Sequence, residues 1–252
     1  MTSLRLVRCV LVLIFLLPVA TPFAAAQQPD RATWGASSEG ASLRVMEMER
    51  TPRSDGGTWV HYFLQGIGLP KNQLYSLWAW ELGGEPKLVL SRVPLRSDGV
   101  LLCSGKLTDC SGATDEQVYA ARATVMKAEP VRLALVSADG RLRAFGNSVP
   151  FPVEAADQNC KVALQRRTPD SAEATISGTG FQPKERVTIA LTGETTGATL
   201  RRNADDKGTW SADVSHTPDA MHADGSTQIG VKAKNCNVSL PWAWGKETQK
   251  PE

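Results

Sequence analysis

Apolar and polar residues trade places every second position along most of this chain. In "RVTIALT" (Arg186–Thr192), Val187, Ile189 and Leu191 fall on one side, and Arg186, Thr188 and Ala190 on the other. Period-two alternation rich in β-branched residues predicts a half-buried strand. The same pattern recurs in "TWVHYFLQ" (Thr58–Gln65), "QLYSLWAWEL" (Gln73–Leu82), "KLVLSRV" (Lys87–Val93) and "VRLALVS" (Val131–Ser137). It continues in "KVALQRR" (Lys161–Arg167), "TWSADV" (Thr209–Val214) and "TQIGVKA" (Thr227–Ala233). Turn signals separate these runs, among them "GGEP" (Gly83–Pro86) and "ADG" (Ala138–Gly140). Many short strands with regular turns predict an all-β chain.

One segment breaks the pattern. "TDEQVYAARATVMKAEP" opens with Thr114 and has Gln117 three residues later, a helix-capping arrangement. Val118, Ala121, Val125 and Ala128 then recur at helical spacing until Pro130. The spacing predicts one amphipathic helix over Asp115–Lys127, with a strand as the alternative.

A phrase is written twice. "GIGLPKNQL" (Gly66–Leu74) and "GTGFQPKERV" (Gly178–Val187) stand 112 positions apart. Gly66 matches Gly178, Gly68 matches Gly180, and Leu69 matches Phe181. With Gln182 taken as an insertion, Pro70 matches Pro183, Lys71 matches Lys184, and Leu74 matches Val187. In that alignment Trp78 falls opposite Leu191, on the apolar face. Glycine supplies positive φ without a Cβ clash. A phosphate-cradling reading of Gly-x-Gly requires a helix to follow, and here an alternating strand follows. "LRSDGVLL" and "NADDKGTWSADV" then both read as Asp-and-Gly turns running into strands. The spacing exceeds a solenoid unit and suits a β-sandwich of about 100 residues.

Two copies of G-x-G, a hydrophobic residue and a Pro-Lys corner, set among short strands, resemble the immunoglobulin-like modules of bacterial secreted and cell-surface proteins. The resemblance implies two tandem immunoglobulin-like β-sandwiches. The first spans residues 32–153 and carries the short helix. The second spans residues 158–245, and a polar tail follows at 246–252. "VEAADQN" (Val153–Asn159) separates them and is short enough to keep them in contact. The resemblance also makes Trp78, on the third strand, a core residue. The cysteines do not bracket Trp78 as the antibody-type pair would. A shared fold of this kind names no ligand.

The N-terminus changes the charge balance. Arg5 and Arg8 precede the apolar "LVLIFLLPVA", and small residues follow with Ala24 and Ala26. This three-part pattern reads as a secretory signal peptide over residues 1–26. The whole chain has 28 Lys plus Arg and 26 Asp plus Glu; removing Arg5 and Arg8 leaves 26 of each. No basic stripe for nucleic acid remains. No transmembrane segment is expected in the mature chain. The destination is the periplasm, the cell surface or the medium.

Export places Cys103, Cys110, Cys160 and Cys236 in an oxidising compartment. Four cysteines allow three connectivities. The favoured pairs are Cys103–Cys110, across "CSGKLTDC", and Cys160–Cys236, tying the start of the second domain to its last strand.

Motifs for catalysis are missing. The sequence holds no Gly-x-Ser-x-Gly, no His-Glu-x-x-His and no Walker loop. "NADDKGTW" fails as a calcium loop, because Lys207 falls where an oxygen ligand is needed and Val214 where Glu is needed. His216 and His222 lie among Asp213, Asp219 and Asp224, where a solvated loop accounts for them better than a metal. The reading is therefore no catalytic residue, no metal and no cofactor.

The aromatic residues carry the remaining signal. Trp78 and Trp80, like Trp242 and Trp244, are spaced to share one strand face. Exposed, Trp80, Trp242 and Trp244 would form a platform for a sugar ring; packed, the last two would meet the neighbouring domain. The leading expectation is an exported, non-enzymatic binding, adhesion or scaffolding protein whose partner is a protein or a surface glycan. The alternatives are a carbohydrate-binding module using Trp80, Trp242 or Trp244, and a periplasmic two-sandwich chaperone.

Overall fold

A computed structural model describes residues 34–54, 57–101, 120–123, 125–192, 197–216 and 224–245. The expected signal segment, the expected Cys103–Cys110 pair, His222 and the expected tail lie outside these residues. The described residues form fifteen strands: β1 (Ser42–Pro52), β2 (Thr58–Ile67), β3 (Tyr75–Ala79), β4 (Lys87–Val93), β5 (Ala120–Ala123), β6 (Val131–Ser137) and β7 (Arg143–Ser148), then β8 (Val153–Ala156), β9 (Lys161–Arg166), β10 (Glu173–Thr179), β11 (Arg186–Thr192), β12 (Gly197–Asn203), β13 (Trp210–Ser215), β14 (Gly225–Ala233) and β15 (Cys236–Trp244). The sheet orders are β1-β2-β5 with β4-β3-β6-β7, and β13-β10-β9-β8 with β12-β11-β14-β15.

Each sheet pair closes on its own core. The first core joins Val60, Tyr62 and Leu64 of β2 to Tyr75 and Leu77 of β3 and to Leu133 and Leu135 of β6. The second joins Val162, Leu164 and Ile176 to Val187, Ile189, Ile229 and Val231. Each such aliphatic side chain contributes roughly 1.5–3 kcal/mol on full burial, so the inward faces hold the fold together.

The repeated phrase is a crossing point. Gly68 (φ +69°) and Gly180 (φ +84°) both sit in the left-handed region. A Cβ on Gly68 would overlap the Gly40 carbonyl, and one on Gly180 would lie 2.5 Å from the Asn159 carbonyl oxygen. In each half, the turn after the second core strand passes against the entry to the first. Only glycine meets both demands.

Three expectations need correction. Within the expected helix, residues Ala120–Ala123 form the strand β5, paired to β2 from Val60↔Ala123 to Phe63↔Ala120. Its helical stripe does not line one face: Val125 is buried in the first core and Ala128 in the second. The open side of β2 takes a backbone partner there, which outweighs helix propensity. The separator begins with a strand, because Val153–Ala156 pairs with β9 from Val153↔Leu164 to Ala156↔Lys161. Trp78 faces away from the first core: Tyr75 and Leu77 point inward, while Trp78 packs with Ala134 and Val136. Without the inserted residue, the 112-residue spacing places Tyr75 on Val187 and Leu77 on Ile189. The insertion that matched the prolines slipped the register by one, and one residue flips every side chain of a strand.

The sandwiches meet at Ala128. Its N–H donates to Phe151 O (2.7 Å), and its carbonyl accepts from Arg166 N (2.9 Å). Ala128 sits at φ +61°, a conformation that alanine holds only under tertiary constraint. Here both backbone groups are bonded. Among the described residues, no helix is long and apolar enough to cross a membrane.

Candidate binding surface

The tryptophans singled out in the sequence are structural. Trp242 and Trp244 are 2% and 4% exposed, inside the second core. Their rings lie 5.4 Å apart edge to face, and the His216 ring stacks on Trp244 at 4.0 Å. Trp242 Nε1 donates to Ser171 O (2.9 Å). Neither can serve as a sugar platform. They lie on the inward face of β15 with Leu240, following its alternation.

Trp80 is half-buried just past β3, on the outward side of the first four-stranded sheet. The Arg132 guanidinium lies 4.0 Å from its ring centroid. Arg132 Nε donates to Trp80 O (3.0 Å), and Trp80 Nε1 donates to Gly84 O (2.9 Å). Burial lowers the Arg132 pKa, with Glu129 opposing. Trp34 meets Trp80 at 5.3 Å and Phe145 at 5.2 Å, edge to face in both cases. The register lines up Leu88, Trp78, Ala134 and Phe145 across the sheet. The N-terminal segment holds Trp34 there: Ser38 N donates to Arg143 O (2.9 Å), and Phe145 N donates to Ser37 Oγ (2.9 Å). The chain itself thus covers Trp78, Ala134 and Val136 on this outward face, while Leu88 at its edge stays exposed.

The corresponding sheet of the second sandwich is built differently. Its outward residues are Arg186, Thr188, Ala190 and Thr192 on β11; Thr199, Arg201 and Asn203 on β12; Ser226, Gln228, Gly230 and Lys232 on β14; and Asn237, Ser239, Pro241 and Ala243 on β15. None is acidic or aromatic. Thr188 is the register partner of both Arg201 and Lys232. Arg186, two residues from Thr188, shares its face. All three cations are exposed. The nearby acids are engaged elsewhere: Asp206 pairs with Lys184 (2.8 Å), and Glu185 accepts from Gln182 N and Lys234 N (2.8 Å each). The sequence carries this signal in the even positions of β11 and β14 and the odd positions of β12, opposite the residues that mark the core.

Cys160 and Cys236 are disulfide-bonded across 76 residues, with Cα atoms 5.7 Å apart. A cavity of about 140 Å³ beside them is lined by Asn159, Phe181, Gln182, Glu185 and Asn235. Asp157 brings a carboxylate oxygen within 4.8 Å of both sulfurs. That carboxylate accepts from Asn159 N (2.8 Å), Cys160 N (3.0 Å) and Asn237 N (3.0 Å). Metal ligation uses thiolates, and these sulfurs are bonded to each other. His61 accepts or donates a bond with Thr51 Oγ1 (2.9 Å) on the outer side of β2.

No protein-family model and no curated protein matches the chain. Among solved structures, it is similar to one described as the tetra-tandem repeat in the extending region of a large adhesion protein. The match covers 81% of this chain and 48% of that one, at 13% identity and a TM-score of 0.24. This chain therefore spans about half the length of that one.

Proposed function

We propose that this is an exported, non-enzymatic binding or scaffolding protein built from a duplicated immunoglobulin-like sandwich. The observation that carries the reading is the shared frame with an unequal surface. Both halves place their third, fourth, sixth and seventh core strands in one sheet, in the order β4-β3-β6-β7 and β12-β11-β14-β15. One outward face is closed by Trp34, and the other is open, polar and cationic at one end. A duplicated frame with one copy left uncovered is economical for holding a partner. The disulfide supports export to an oxidising compartment.

The test uses protein starting at Gln27, added to washed cells that produce it. Saturable retention on the envelope fraction is the expected outcome. Absence of saturable retention overturns the reading.

A further inference from the structure

We propose that the outward face of β12-β11-β14-β15 binds an acidic polysaccharide, with Arg186, Arg201 and Lys232 meeting its carboxylates. This deepens the binding-protein reading and rests on it.

The charge is local. The mature chain balances at 26 cations and 26 anions, so general basicity cannot gather three exposed cations on one face. Arg201 and Lys232 flank Thr188 on neighbouring strands, and Arg186 follows on the same strand as Thr188. Adjacent strands run about 4.8 Å apart, so the cations form a short row across the sheet rather than a point. A row suits a polymer with repeated charges.

The neighbouring side chains select the polymer. Thr188, Thr199, Ser239, Gln228 and Asn237 surround the cations with hydroxyls and amides. Ser239 Oγ donates to Gln228 Oε1 (3.1 Å), which fixes that amide. Such groups both donate and accept, as sugar hydroxyls do. Single-stranded nucleic acid asks instead for aromatic stacking platforms, and this face has none. A membrane surface asks for apolar groups that enter the interface; here the outward residues are Thr, Ser, Ala, Gly, Asn and Gln beside Pro241. Short side chains also lose little conformational entropy on contact.

The experiment measures binding of the mature protein to polygalacturonate at low salt. The comparison polymer is fully methyl-esterified polygalacturonate, which keeps the backbone and removes the charge. Wild type should bind the first and ignore the second, and 0.5 M NaCl should release it. The Arg186→Gln/Arg201→Gln/Lys232→Gln triple variant should lose affinity by about a hundredfold, about fivefold for each of the three exposed ion pairs at low salt. An equal-charge control, Lys87→Gln/Arg92→Gln/Arg141→Gln on the first sandwich, should bind as wild type does. Matching thermal melts show that both variants fold. Equal loss in both triple variants, equal binding to the esterified polymer, or tighter binding to phosphatidylglycerol vesicles or duplex DNA overturns the assignment. Envelope retention without any polygalacturonate binding also overturns it, while leaving the binding-protein reading standing.

Discussion

The two four-stranded sheets share strand order and inward chemistry, yet they turn opposite surfaces outward. On β3 of the first sandwich, Trp78 looks out and is covered. On β11 of the second, Ala190 occupies the corresponding position, 112 residues on, between Thr199 and Gly230. The inward positions, Leu77 and Ile189, are both fully buried aliphatics. The inward face therefore specifies the sandwich, and the outward face is free to be sealed or offered. The two halves also close differently. The first uses Trp34 and a strand crossing at Gly146, where a Cβ would strike the Leu43 carbonyl. The second uses a disulfide.

The sharpest way to break this comparison is to cut the disulfide. Cys160→Ser with Cys236→Ser should cost about 4 kcal/mol, because a loop of this size is no longer closed in the unfolded chain. Hydrogen exchange should show the loss at Ile189 and Ile229 while Leu77 and Leu135 keep their protection. Equal loss in both cores would mean that Ala128 and Arg166 couple the sandwiches into one unit, and the separate closures would lose their meaning.

A reciprocal exchange of outward residues comes next. Trp78→Ala should cost about 3 kcal/mol, since a large ring leaves a packed site. Ala190→Trp should change stability by less than about 1 kcal/mol, as surface substitutions do. Chemical denaturation of both variants gives the comparison. A costly Ala190→Trp would mean that the second face is covered after all.

Trp34→Ala should have a smaller effect, about 1–2 kcal/mol, because two edge-to-face contacts and partial burial are lost. It should also raise binding of an apolar dye, since Trp78, Ala134 and Val136 lose part of their cover. An unchanged dye signal would show that Trp34 is not the seal.

The all-β class could be read from alternation, because burial of one strand face imposes it directly. The glycine phrase could be read because a positive φ and a close backbone approach leave one residue type. The orientation of Trp78 could not: Pro70 and Pro183 look equivalent but lie one position out of step. The stripe Val118–Ala128 misled for a different reason. Val125 and Ala128 are buried in separate cores, and no local pattern records which core a residue enters. Trp34 lies before the first strand, where nothing in the sequence marks it as a cover. The open face escaped notice because Arg186, Arg201 and Lys232 lie far apart in sequence, and only strand register assembles them.

The smallest expected effect concerns two corresponding turns. Asp98 in "LRSDGVLL" and Asp205 in "NADDKGTW" both have lowered pKa values, for different causes. Asp98 is held down to about 2, first by the hydrogen bond from the Arg96 side chain, with help from Val100 N. Asp205 is lowered first by the backbone N–H of Thr209 (2.9 Å), then by the Thr209 hydroxyl (2.8 Å) and Lys207 N. An unfolded Asp titrates near about 3.9. A carboxyl depressed in the folded state contributes stability that is full above that value and is lost as pH falls through the folded pKa. Both turns should therefore weaken the protein only below about pH 4, and the Asp98 contribution should fade on the way to about pH 2. Salt separates them. An exposed ion pair is screened by ions, whereas backbone N–H bonds carry no net charge to screen. Carboxyl titration followed by NMR in low salt and in 1 M NaCl should show the Asp98 midpoint rising and the Asp205 midpoint nearly fixed. Equal shifts would mean that the second turn, too, is held by charge, and the difference between the two halves would not extend to their turns.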